Sequence, residues 1–222
     1  ITVSATTITG LAADIATVAT ADANGTLVLN ADFGATVDAG AVAASDLNTI
    51  SAQTTATIDA TGATAINGSA ADVATALADA QISHDDNFNV TLTATAAAAT
   101  AITAIDAATT KVVDASLVTT LTGTAAQIAA AATLDANGTT TLKANFGATV
   151  DEGAVAAADL NTISAQTTAT IDATAATAIN GSAADVATAL ADTQISHTST
   201  FDVTLSTGSC LLYTSPSPRD TG

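Results

Sequence analysis

A chain of 222 residues with 3 Lys and Arg against 21 Asp and Glu carries a formal net charge of −18, and 58 Ala with 45 Thr fill 103 of its positions. It has no basic face to neutralise phosphates, which argues against nucleic-acid binding, and its one Cys cannot build a disulfide framework or a thiolate metal cluster. No run of about 18 apolar residues is free of Thr and Asp, so no membrane-spanning helix is expected, and at 48% hydrophobic residues the chain is too apolar for charge-driven disorder.

The chain opens at Ile1 without Met or a signal-peptide pattern, so its natural start is expected elsewhere. Asp22-Ala-Asn24-Gly25 before Leu27-Val28-Leu29 reads as a tight Asn-Gly turn leading into an extra strand, and Asp135-Ala-Asn137-Gly138 before Thr141-Leu142 repeats it. Short Thr-rich and β-branched stretches centred on Val37, Ile58, Leu92, Val113, Val150, Ile171 and Leu205 read as strands. Their spacings run 21, 34, 21, 37, 21 and 34 residues, a ladder of unequal rungs.

Between these strands lie Ala-rich helices. Asp46–Thr55 aligns with Ala101–Thr110, each with large aliphatics three apart, Leu47/Ile50 and Ile102/Ile105. A capping box starts the helix at Ser69: its hydroxyl accepts the N–H three residues on, and Asp72 answers the N–H of Ser69. Ser182/Asp185 and Thr124/Gln127 repeat the device, and Val73 and Leu77 share one helix face. The run Ala96–Ala101 favours helix, which counts against an all-β arrangement.

Two periods underlie this order. Phe33–His84 and Phe146–His197 match at 48 of 52 positions with an offset of 113. Beneath it, Thr7-Ile-Thr-Gly10, Ala65-Ile-Asn-Gly68, Thr120-Leu-Thr-Gly123 and Ala178-Ile-Asn-Gly181 recur at spacings of 58, 55 and 58. Strand, turn and helix repeated every 20–35 residues predict an α/β repeat solenoid of short parallel strands and Ala-rich helices, with a β-solenoid as the alternative. Residues 1–113 form a first repeat and 114–209 a second, continuous with it.

The last thirteen residues are different. Both Pro, the only Tyr, the only Arg and the only Cys fall in 210–222, and Cys210–Asp220 resembles a translated transposon-end sequencing adapter. That segment is therefore read as a non-native tail.

Chemistry is sparse in what remains. Asp38, Asp59, Asp114, Asp151 and Asp172 each follow a strand's apolar residue. They either close turns by binding backbone N–H groups or line up as a carboxylate column that collects Ca²⁺. His84-Asp85-Asp86-Asn87 is oxygen-rich, but its copy at 197–200 has lost most of those groups, so no shared function rests on it. His84 and His197 have no nucleophile motif beside them, and no phosphate-binding glycine motif is present. The four Phe residues are expected as core plugs. T-x-T pairs at Thr55/Thr57, Thr91/Thr93/Thr95 and Thr168/Thr170 raise ice or mineral-surface binding as a further reading.

On Asp46–Thr55, Thr57-Ile-Asp-Ala-Thr61 and Asn67–Leu77, the chain resembles the Ala/Thr/Asp-rich tandem repeats of giant bacterial cell-surface and secreted proteins, which are adhesin-like and often carry RTX calcium segments. No RTX nonapeptide is present in this chain. The resemblance implies export and a non-enzymatic structural role as a spacer or surface array, with no catalytic residue and no required cofactor. Calcium-binding adhesin activity is the alternative. It also implies self-stacking of repeats, and contacts with cell-surface components or glycans through domains outside this chain.

Overall fold

A computed structural model describes residues 1–206; the tail at 210–222 and the last residues of the second repeat lie outside that range. The described chain is mixed α/β. Seven helices, α1 (Ala12–Ala23), α2 (Ala44–Ser51), α3 (Ala70–Ala78), α4 (Ala99–Ala108), α5 (Ala125–Asn137), α6 (Ala157–Ser164) and α7 (Ala183–Ala191), alternate with strands of two to six residues. The helices dispose of the all-β alternative. Each helix packs on the next in chain order.

The strands form four columns of parallel pairs, and none closes into a barrel. The first holds Thr7–Gly10, Gly34–Val37, Ile58–Asp59 and Ile82–Ser83. The second runs from Gly40–Ala43 and Ala63–Asn67, through single bridges, to Val90–Thr91, Val113–Ala115 and Thr140–Leu142. In the third stand Ala96–Ala98, Thr120–Gly123, Gly147–Val150, Ile171–Asp172 and Ile195–Ser196. The fourth holds Gly153–Ala156, Ala176–Gly181 and Asp202–Leu205.

Partners within a column are 23–27 residues apart, as in Ile8↔Ala35, Ala35↔Ile58 and Ile58↔Ile82. The expected ladder of unequal rungs is thereby corrected: spacings of 34 and 37 compare strands of different columns. The steps themselves are nearly equal, because each must close the same strand–helix path.

The half-repeat has a geometric meaning. From Ile8 the chain makes one 27-residue step to Ala35, moves seven residues into the second column at Val42, and makes one 24-residue step to Ile66. From Ile66 it steps to Val90, moves seven residues to Ala97 in the third column, and steps to Leu121. Ile8, Ile66, Leu121 and Ile179 thus stand in columns one to four. Each half-repeat is two steps plus a shift of one column. The helices follow suit: α1 leaves the first column, α2 and α3 the second, α4 and α5 the third, α6 and α7 the fourth.

Several local expectations shift in detail. Ala96–Ala98 is strand, because pairing with Thr120–Thr122 outweighs the modest helical preference of Ala; the helix starts at Ala99. The pairs at Asn24-Gly25 and Asn137-Gly138 end helices. Gly138 (φ 76°) donates to Asp135 O and Thr139 to Leu134 O, a left-handed cap that only glycine adopts without strain, and the chain leaves it for a parallel strand. Thr124/Gln127 makes the full capping box. At Ser69 and Ser182 the hydroxyl accepts the expected N–H, but the Asp carboxylate takes the Ser hydroxyl (2.6 Å) instead of its N–H. Asp is one methylene too short to reach back as Gln does.

A single core runs the length of the described chain. Leu47, Ile50, Ile102 and Ile105 are fully buried, and Phe33, Phe88 and Phe146 plug it, while Phe201 is half-buried at the end. Ala at most other helix positions lets neighbouring helices approach closely.

Candidate functional site

The strand-end carboxylates divide into two groups. Asp59 Oδ1 accepts the Thr61 N–H (3.1 Å) and hydroxyl (2.6 Å). Asp114 does the same with Ser116, and Asp172 with Thr174. These are closed Asx turns. Asp38 and Asp151 sit one position past the paired strand, their own N–H groups donating to Gly10 O and Gly123 O (2.9 Å each).

In the strand register these carboxylates do not lie opposite one another. Asp59 stands between Thr36 and Ser83, Asp172 between Thr149 and Ser196, and Asp114 between Thr91 and Thr141 in another column. The five residues are not brought together. Among the described residues no three His, Cys, Asp or Glu side chains gather as a metal-holding group.

The Thr61 hydroxyl, and after it the Thr61 N–H, hold the Asp59 carboxyl below the ordinary value of 3.8; Thr174 does so for Asp172. A folded-state value below the unfolded one adds stability that is complete above 3.8 and is lost as pH falls through the lower folded value. The double variant Asp59→Asn/Asp172→Asn is therefore expected to lose less melting temperature than the parent on acidification from about pH 5 to about pH 2. Thermal melts followed by circular dichroism measure this; equal slopes would contradict it.

His84 and His197 sit in corresponding turns after the first and third columns. Each ring meets the Phe four residues on edge-to-face, at 5.3 Å (Phe88) and 5.0 Å (Phe201), with Nδ1 within 3.0 Å of the following carbonyl oxygen. Both are packing elements of their turns.

Thr91, Thr93 and Thr95 are exposed but belong to one step, and Thr91 is flanked across the column by Asn67, whose Oδ1 accepts its N–H (2.9 Å), and by Asp114. In the first column Thr9 and Thr36 are followed by Asp59 and Ser83. At these described positions Thr does not repeat along the column beyond Thr9 and Thr36.

Depressions on the surface of the described residues include the following two. Ala71, Ala74, Ala78, Ala101 and Ala104 line a shallow open groove between α3 and α4. Asp106, Thr109, Thr110, Lys111 and Gly138 line a smaller cleft. Its polar groups serve the fold: Asp106 accepts the Thr140 hydroxyl (2.8 Å), and the Thr109 and Thr110 hydroxyls donate to Phe88 O (2.6 Å) and Asp86 O (3.0 Å).

The polar side chains that matter most escaped sequence reasoning. Buried Thr54, Thr109 and Thr167 each donate to the carbonyl of the Phe 21 residues earlier, and each accepts the N–H two residues on. Ser51 donates to Asp79, whose other oxygen accepts the Gln81 N–H, while Gln81 Nε2 donates to Thr54 O (3.0 Å). Ser164, Asp192, Gln194 and Thr167 repeat this clamp. Asn48 and Asn161 donate to Asp72 O and Asp185 O, tying helix to helix. The constant 21-residue Phe-to-Thr spacing was the available signal.

Comparison with protein-family models, with curated proteins and with solved structures finds no match for this chain. Among the described residues no helix is long and apolar enough to cross a membrane.

Proposed function

We propose that this chain is an α/β solenoid segment of a large extracellular or bacterial cell-surface protein, acting as a non-enzymatic spacer or surface array. The observation that carries the reading is the screw relation: Ile8, Ile66, Leu121 and Ile179 occupy equivalent sites in successive columns, so one half-repeat adds to the next without altering it. Growth by addition of near-identical units, each covering its predecessor, is the property of quasi-one-dimensional repeat proteins. Residues 1–113 and 114–209 are then two copies of one unit in a continuous array. The net charge of −18 keeps such an array soluble and self-repelling. Surface partners, whether glycans or other cell-surface components, are engaged by domains outside this chain.

Each 113-residue unit contains four steps, and parallel strands stack about 4.8 Å apart. Small-angle scattering on arrays of two, three and four units should therefore show a rod lengthening by about 19 Å per unit at constant cross-section. A compact particle, or hydrolase or transferase activity in 1–209, would overturn the proposal. On the same reading Ca²⁺ has no structural part. Calcium at about 1 mM, the range of extracellular modules, followed by chelator, is expected to leave the melting temperature unchanged; a chelator-reversible rise would favour the calcium-binding adhesin alternative.

A further inference from the structure

The cleft between the C-terminal ends of α4 and α5 lies where the repeat elsewhere seats an amide. Asp46–Thr55 aligns with Ala101–Thr110, so Ser51 and Thr54 correspond to Asp106 and Thr109. Ile58 pairs with Ile82 as Val113 pairs with Thr140, so Gln81 corresponds to Thr139. In the first column the Gln81 side chain spans the gap: its Nε2 donates to Thr54 O (3.0 Å), and its Oε1 accepts from the Ser51 hydroxyl (2.9 Å). Gln194 does the same in the third column with Thr167 O (3.1 Å) and Ser164 (2.8 Å). In the second column Thr139 is too short to cross, and its hydroxyl turns back to Leu134 O. A cleft of about 510 Å³ stands in the place of the amide, with Asp106, Thr109, Lys111 and Thr139 in its wall.

The exchange alters the chemistry as well as the space. Among the described residues nothing donates to Thr109 O, the counterpart of two carbonyls that each receive an amide N–H. Asp106 uses Oδ1 for the Thr140 hydroxyl (2.8 Å), and no donor among the described residues reaches its other oxygen. Where Ser51 and Ser164 offer a hydroxyl proton, an ionised Asp106 offers only acceptor oxygens and a negative charge. A carboxamide, which suits the first and third columns, would here turn its carbonyl oxygen toward a carboxylate. A planar cation with N–H donors on both sides suits the second.

We propose that this cleft binds a guanidinium group, one N–H donating to Thr109 O and another to the Asp106 carboxylate. Charge-assisted bonds to a carboxylate are stronger than neutral ones, and a guanidinium holds its donors in a fixed plane, as the Gln amide does. An ammonium has the charge without the plane. The net charge of −18 draws such a cation to the chain, and the exposed Lys111 in the wall opposes it. The site is additional to the spacer role and does not depend on it.

The test is a titration of the full chain followed by amide NMR, with Arg219→Ala in every sample so that the chain's own guanidinium does not compete. Methylguanidinium, methylammonium and acetamide are compared, and a blocked glycine–arginine–glycine tripeptide serves as a second guanidinium source. Methylguanidinium is expected to saturate at about millimolar concentration, in keeping with a ligand of few atoms, and to shift the amides of 109–112 and 138–140. Acetamide and methylammonium should bind at least about tenfold more weakly. Asp106→Asn, which keeps an acceptor for Thr140, should weaken methylguanidinium by at least about tenfold, and Lys111→Ala should strengthen it. Thr139→Gln fills the cleft and abolishes the shifts; if that variant is unfolded by circular dichroism, Asp106→Asn decides alone. Tighter binding of the tripeptide than of methylguanidinium assigns the site to an arginine side chain of a partner, and equal or weaker binding assigns it to a free guanidinium compound. The inference is overturned by shifts that rise without saturation or spread along the chain, as a denaturant gives. Acetamide binding as well as methylguanidinium, or Asp106→Asn binding like the parent, overturns it equally.

Discussion

Replacing Phe88 with Ala is expected to destabilise the chain by about 3–5 kcal/mol, the usual cost of removing a fully buried ring whose site cannot collapse. Phe88 is 1% exposed, lies in the continuous core, and has its carbonyl tied to Thr109 in the next step. Phe201 occupies the equivalent repeat position, yet it is half-buried because the following cover is missing among the described residues. Phe201→Ala should cost less, about 2 kcal/mol, since part of that ring stays in contact with water. Urea unfolding of the two variants measures the difference. Equal losses would mean that the core is not shared along the steps. Unfolding should be followed by more than one probe, because stepwise architectures can lose stability locally before the whole chain unfolds.

The second large effect is expected at a hydroxyl. Thr109→Val keeps the side-chain shape but leaves Phe88 O without its 2.6 Å donor and the Lys111 N–H without its acceptor. An unsatisfied buried polar group costs about 1–3 kcal/mol, so a loss of about 2–3 kcal/mol is expected, with most of it restored by Thr109→Ser. Thr54→Val and Thr167→Val should behave alike, because both make the same pair of bonds to Phe33 and Phe146 and to the N–H two residues on. Thermal and urea denaturation of the four variants is the measurement. Tolerance of Val at all three sites would show that ordinary packing, not the bond between steps, secures the Phe plugs.

Much of the local structure was legible in the residues. Ser69, Thr124 and Ser182 start helices where a hydroxyl can accept an exposed N–H three residues on. Leu47/Ile50 and Ile102/Ile105 are core because three-residue spacing places both on one helix face. Asp59, Asp114 and Asp172 close turns because a short carboxylate reaches the N–H two residues ahead. The 113-residue repeat was visible as near-identity. What stayed hidden required knowing which strand pairs with which. Ala96–Ala98 has no local reason to be extended, and Asp38 and Asp59 look equivalent until register places Thr36 opposite Asp59.

Composition and spacing alone determined that this protein is built of repeated strand and helix elements, acidic and poor in aromatics. Those properties depend on residue type and on contacts within a few positions. Tertiary structure alone decided that successive half-repeats advance by one column. It also decided that carboxylates similar in sequence do not meet, and that the buried Thr54, Thr109 and Thr167 hydroxyls each tie one step to the one before. Such contacts join residues 21–34 positions apart, and which partner each group finds depends on the closed length of a whole step. No residue can signal that length by itself.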